Sequence, residues 1–168
     1  MQVETSVKSD RSTFAPVILA GLLLGIGQGG FFDGIVLHQL LQWHHMFTNV
    51  VTEDTVKGLE INNLGDGLFH AFDWVMTIAG TIALWRAGSR PDAVWSTGAF
   101  VGSILMGFGL FNLVEGIIDH HILQIHHVKA GVNQLAWDLG FLAIGLALII
   151  GGWLLVQRAR SQDSNINQ

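Results

Sequence analysis

The fold and the chemistry of this chain are decided by two stretches. The first is Asp33-Gly34-Ile35-Val36-Leu37-His38-Gln39-Leu40-Leu41-Gln42-Trp43-His44-His45. The second, 82 positions later, is Glu115-Gly116-Ile117-Ile118-Asp119-His120-His121-Ile122-Leu123-Gln124-Ile125-His126-His127. Each reads acid, Gly, two β-branched residues, a His, a Leu-Gln pair and a His-His doublet. Seven of the eight histidines lie in these stretches, and the eighth is His70. Self-similarity at a fixed offset marks a repeated structural unit, and imidazole beside carboxylate is the chemistry of a metal site.

Outward from these stretches the chain is apolar. Half of its 168 residues are hydrophobic, 12% are charged and the mean hydropathy is +0.47, the profile of a polytopic membrane protein. There is no cysteine, which excludes disulfides, thiolate ligands and cysteine-ligated iron–sulfur clusters. No basic run points to nucleic acid. The first thirteen residues are polar and lead into apolar sequence without a small-residue cleavage site, which argues against a signal peptide.

Four stretches are long enough to cross a bilayer as helix: Phe14 to Leu41, Leu68 to Leu84, Val94 to Ile118 and Val132 to Val156. The expected fold is all-α, an integral membrane four-helix bundle made of two helical hairpins in parallel repeat. Residues 1–13 form an N-terminal tail, 14–90 the first hairpin with a polar connection at 48–67, 91–156 the second hairpin, and 157–168 a polar tail. No Pro or turn cluster interrupts the chain before His45 or His127, so helices one and three are expected to run beyond the membrane as helix. Gly25-Ile26-Gly27 matches Gly107-Phe108-Gly109, and Ala71-Phe72-Asp73 matches Ala136-Trp137-Asp138 more loosely.

Lys8, Arg11, Arg86, Arg90, Arg158 and Arg160 cluster at one set of helix ends, and only Lys57 and Lys129 lie at the other. The positive-inside rule then puts both termini in the cytoplasm and the histidines on the periplasmic side of a bacterial inner membrane. Trp85, Trp95 and Trp153 mark one boundary, and Trp43, Trp74 and Trp137 the other.

Ionisable groups at membrane depth are costly unless paired or coordinated, so Asp33, Asp73, Glu115 and Asp138 call for a functional reason. The metal-ligand candidates are Asp33, His38, His44, His45, His70, Asp73, Glu115, Asp119, His120, His126, His127 and Asp138. On a continuous helix His38 and His45 stand about 10 Å apart along the axis, too far to share an ion. The donors would instead form layers, with His44 and His126 as proton relays. Gln42 and Gln124 would fix histidine tautomers. His121, whose counterpart is Gln39, falls off the shared face. The donor surplus exceeds the four ligands of one tetrahedral zinc and suggests two or more transition-metal ions, with iron, copper and zinc not distinguished.

The paired motifs resemble those of an uncharacterised family of small bacterial four-helix inner-membrane proteins. The resemblance covers most of the chain, from helix one to helix four, and implies a fold without an activity. The resemblance also implies an association of some relatives with respiratory-oxidase assembly, which raises the expectation of copper handling. The histidines are also similar to the boxes of membrane di-iron desaturases, but His-x-x-His-His is absent and the likeness is one of chemistry alone.

The reading that follows is a membrane metalloprotein with a multinuclear His/carboxylate redox centre, acting as an oxidoreductase on a lipophilic substrate. The alternatives are a periplasm-facing copper or zinc storage or delivery protein served by a periplasmic metal donor, and haem held by His38 and His120. Through-transport fits poorly, since the spans carry no polar path. The bilayer is the expected environment, and glycine faces could support an oligomer.

Overall fold

The computed structural model describes residues 13–166, so Lys8 and Arg11, on which part of the orientation argument rests, lie outside the described residues. Among the described residues the regular structure is helical, apart from one isolated bridge between Thr13 and Ala93. The helices are α1 (Ala15–Phe32), α2 (Val56–Gly88), α3 (Thr97–Glu115) and α4 (Gln134–Ile166). α1 and α3 each continue into a wider π-helical turn, Asp33–Leu40 and Gly116–Ile122. With those turns included, all four are long and apolar enough to cross a membrane.

Local chemistry explains the boundaries. Pro16 opens α1, where a missing N–H is harmless. The Thr55 and Ser96 hydroxyls accept hydrogen bonds from Gly58 N (3.1 Å) and Ala99 N (3.4 Å), capping α2 and α3. α2 thus begins twelve residues before the apolar run at Leu68, absorbing much of the polar connection. At ~1.5 Å per residue its 33 residues span about 50 Å, so its first turns stand beyond a hydrocarbon layer of about 30 Å. α4 likewise stays helical through Ile166, past the last apolar residue of its span.

α1 packs on α2 and on α3, and α3 packs on α4; α2 and α3 meet through the rings of Phe69 and Phe111 at 5.8 Å. In cross-section the order is α2–α1–α3–α4, with α1 and α3 central. Their crossing is made by glycine. A Cβ on Gly25 would lie 2.1 Å from the Ile104 carbonyl oxygen, and one on Gly107 would lie 2.2 Å from that of Leu22. Close backbone approach of this kind lets dispersion hold helices together where lipid removes the hydrophobic drive. The outer helices leave large apolar side chains such as Trp74, Val75, Ile144 and Leu146 exposed, as a lipid-facing surface requires.

The expectation that helices one and three run on to the His-His doublets is overturned. In the π turns Leu41 N bonds to Val36 O (2.8 Å) and Leu123 N to Ile118 O (2.7 Å). Trp43 N and Ile125 N reach back six residues, to Leu37 O (2.9 Å) and Asp119 O (3.0 Å). Gln42 and Gln124 then take left-handed φ values of 50° and 51°, and the chain reverses. Neither turn contains Pro, and no Gly follows Gly34 or Gly116 before the doublets, so periodicity alone gave no sign of the stop. Widened turns of this type are frequent at functional sites.

Candidate metal centre

The reversal brings the histidines that a straight helix would separate into one buried cluster. Asp33 and Glu115 each stand 18 residues from the start of their helix, about 27 Å along the axis, near the far edge of the hydrocarbon. Asp33 Oδ2 lies 3.0 Å from His38 Nε2 and 3.9 Å from His44 Nε2. Glu115 Oε1 lies 2.9 Å from His120 Nε2 and 2.8 Å from His126 Nε2. The longer glutamate reaches both of its histidines; the shorter aspartate favours one.

Between the two groups the rings of His44 and His126 stack at 4.6 Å with 6° between their planes. Potential ligand atoms of His38, His44 and His126 fall within 4.8 Å of one another, and so do those of Glu115, His120 and His126. His126 belongs to both sets. These five side chains and Asp33 are all buried.

The outward ring nitrogens fix what the inward ones can do. His44 Nδ1 lies 2.9 Å from Val128 O, and His126 Nδ1 lies 3.0 Å from Met46 O. A carbonyl oxygen only accepts, so both Nδ1 atoms carry the proton and, in neutral rings, both Nε2 atoms present a lone pair. Asp66 Oδ1 accepts from His38 Nδ1 (2.8 Å) and from Met46 N (2.8 Å), and Asp66 Oδ2 accepts from His45 Nδ1 (2.6 Å). Asp138 repeats the pattern, accepting from Val128 N (3.0 Å) and His127 Nδ1 (2.7 Å) and standing 3.4 Å from His120 Nδ1. Imidazole lone pairs therefore face carboxylate oxygens inside a buried space. Asp33 Oδ2, His38 Nε2, His44 Nε2 and His120 Nε2 have no hydrogen-bond partner among the described residues. Acceptors brought together in this way repel unless a cation stands between them. The carbonyl ends of α1 and α3 point toward the same place and favour positive charge.

Burial pushes the His44 imidazole below its ordinary pKa, partly opposed by the Asp33 carboxylate, so the ring stays neutral and able to ligate. Phe69 stacks flat on His38 (5.6 Å, 11°), and Phe141 tilts against His120 (5.5 Å). Above the cluster Trp43 packs on Trp137 at 5.2 Å, and the Lys129 ammonium lies 4.5 Å from the Trp43 ring centre.

Of the twelve residues proposed from sequence, Asp33, His38, His44, Glu115, His120 and His126 converge. His44 and His126 thus stand at the middle of the cluster, not in an outer relay layer. His45, His127 and Asp138 sit one step out, in the hydrogen bonds that orient the rings. Asp33 is in neither three-residue set but joins the first through His38 and His44, whereas His70, Asp73 and Asp119 lie outside both. His70 packs its ring against Phe31 and Phe69. Asp73 fills the space left by the missing side chain of Gly30: a Cβ there would lie 1.8 Å from Asp73 Oδ1.

Asp66 is the residue that sequence reasoning missed. It sits on α2 in the place that Asp138 takes on α4, where the looser alignment had set Asp73. The signal was present: Asp66-Gly67-Leu68-Phe69 parallels Asp138-Leu139-Gly140-Phe141, 72 positions on. The shorter connection before α4 changes the offset from 82 to 72 and hides the match.

A family model described as "Predicted membrane protein (DUF2243)" matches residues 20–159. No curated protein and no solved structure matches the chain.

Proposed function

The chain belongs to the predicted membrane protein family DUF2243, and from that footing we propose that it is an integral membrane metalloprotein holding a dinuclear redox centre. One ion is held by Asp33, His38 and His44, the other by Glu115, His120 and His126. The stacked pair His44 and His126 separates them. The observation that carries this reading is the inward set of lone pairs. His44 and His126 each donate Nδ1–H to a backbone carbonyl, so that in a neutral ring Nε2 is an acceptor; His44 Nε2 is buried without a partner and His126 Nε2 lies 2.8 Å from Glu115 Oε1. Protons alone would require several adjacent buried imidazolium ions, which repel one another. Two divalent cations satisfy the same atoms and neutralise both carboxylates.

The two halves read as a repeated unit. The ligand pattern on α1 recurs 82 positions later on α3, and the acceptor that orients the rings recurs 72 positions later, from α2 to α4. A centre split between equivalent halves, with three protein ligands to each ion, leaves open positions for exogenous ligands, as catalytic sites do. Imidazole with carboxylate and no sulfur suits iron, manganese, oxidised copper or zinc. The centre stands at the helix ends opposite Arg86, Arg90, Arg158 and Arg160, which supports a periplasmic placement in a bacterial inner membrane.

Elemental analysis of protein purified in mild detergent, with an absorption spectrum of the same sample, tests the reading. Two tightly held iron or copper ions per chain, with a spectrum that changes on reduction, is the expected result. Colourless zinc would refute the redox assignment, and no metal after reconstitution would refute the centre itself.

A metal-delivery role is the second reading. It is favoured by a polar surface cavity of about 310 Å³ lined by Gln39, Asn63, Asp66, Gly67 and His70, which reaches the carboxylate that orients His38. Exchange of the bound ions with free metal within minutes would support delivery; retention over hours would support the enzyme.

A further inference from the structure

α2 and α3 both pack on α1 and meet each other through the rings of Phe69 and Phe111 (5.8 Å), and beside that contact lies a cleft of about 330 Å³. Its walls include Ile26 of α1, Phe69 and Phe72 of α2 and Val114 of α3, and its polar end is Glu115 with Asp119. Ile26 stands seven residues before Asp33 on α1, about 10 Å deeper in the hydrocarbon. The cleft therefore runs from the layer of the acids toward the middle of the bilayer.

The other side of the molecule differs. Ile26 corresponds to Phe108 and Val114 to Phe32, and these two rings pack together at 5.8 Å where a matching cleft would lie. Asp119 corresponds to Leu37, which is buried. On that side two rings take the place of the cleft's Ile26 and Val114, and the second carboxylate has no counterpart.

The polar end sets the chemistry of an occupant. Glu115 Oε2 is buried without a hydrogen-bond partner, while Glu115 Oε1 faces His120 and His126. Asp119 is half-buried beside it. Two carboxylates call for a donor. A molecule reaching them from lipid must be neutral, because carrying a charge through hydrocarbon is costly. An apolar tail fits the aromatic and aliphatic walls.

We propose that this cleft admits, from within the bilayer, a lipophilic molecule whose neutral head bears hydroxyl groups, a long-chain phenol, quinol or alcohol, and seats that head on Glu115 and Asp119 with its tail toward Ile26. The proposal rests on the metal-centre reading and deepens it, since it names the class of molecule that reaches the centre. Phe69 lines the cleft and stacks on His38, so the seated head lies one ring away from the first ligand set as well.

The test uses the full chain in lipid nanodiscs, with metal content measured on every sample. A diazirine-bearing long-chain alcohol is photocrosslinked, and its sites are mapped by mass spectrometry. Decyl hydroquinone, its dimethyl ether and 1-dodecanol serve as competitors. Labelling is expected at Phe72 and Val114. Decyl hydroquinone should displace it at least tenfold more effectively than the ether, and its ranking against dodecanol separates phenolic from aliphatic heads. Val114→Trp should abolish labelling. Asp119→Leu, which installs the residue found at position 37, should remove the preference for hydroxyls while metal content stays unchanged.

Equal competition by the ether, or labelling indifferent to Val114→Trp, would overturn the proposal and leave an ordinary lipid-filled groove. Protein that binds no metal yet keeps the hydroxyl preference would refute the centre and not the cleft.

Discussion

His126 occupies the position on which both halves of the centre depend. Its Nδ1–H is committed to Met46 O, and its Nε2 lies within reach of Glu115, His120 and the ring of His44. Truncation should therefore disturb both ions. His126→Ala is expected to lower the bound metal from two ions per chain to fewer than one, by elemental analysis. His70→Ala, whose ring packs on phenylalanines, is expected to leave the content unchanged. Equal loss in the two variants would mean that His70 is a ligand and the triads are drawn wrongly. Residue types alone could not rank these histidines. The separation comes from what stands behind each ring: a carbonyl or carboxylate for the four that are turned toward the cluster, and phenylalanine rings for His70.

The helices carry a different kind of information. Gly25 and Gly107 set the distance between α1 and α3, and with it the distance between Asp33 and Glu115. Gly25→Leu would drive a side chain into the Ile104 carbonyl. Overpacking of this kind costs typically 1–3 kcal/mol, and it should also spread the two triads. The expected outcome is a lower unfolding temperature in detergent together with weaker metal binding. Gly140→Ala is the control: its added methyl meets nothing within 4 Å, and helix propensity favours alanine by roughly 0.5–1 kcal/mol. If Gly25→Leu unfolds like the parent, the crossing is not tight.

At this scale the four spans were legible from apolar runs, because a membrane-crossing helix must bury its own backbone polar groups. Their polar extensions were not. α2 begins at the Thr55 cap, and the segment from Val56 to Asp66 has the composition of a surface loop.

For the molecule as a whole, the ligands come from both hairpins, so ion binding should tie the halves together. A ligand present at a hundredfold excess over its Kd stabilises the folded state by about 2.7 kcal/mol. Removing metal with a strong chelator should therefore lower the unfolding temperature, and adding metal back should restore it. That stabilisation should weaken in acid. His44 is held neutral by burial, with Asp33 and His38 facing it from the α1 turn and His126 stacked on it from the α3–α4 connection. Its folded pKa lies below that of the unfolded chain, about 6.5 for histidine. The unfolded state then binds more protons as pH falls through that value, so stability present above it is lost below it. Protons also compete with metal for Nε2. Differential scanning of metal-loaded and chelated protein from pH 8 to pH 5 should show the gap closing; a constant gap would rule out histidine ligation.

By itself the sequence determined the class of the protein and the elements of its chemistry. Apolar length sets the number of spans, and two acid–His–His-His segments supply imidazole and carboxylate in matched sets. Only the tertiary structure decided which of these groups meet. At 1.5 Å per residue a straight helix would have carried His44 and His45 away from Asp33. The π turn, with Gln42 in the left-handed region, folds the chain back and sets His44 beside His38. Asp66 is joined to the cluster by packing of α2 against α1, a long-range relation that no local spacing encodes. Local patterns register periodicity and charge cost, whereas a site is a set of distances, and those are fixed by how the helices pack.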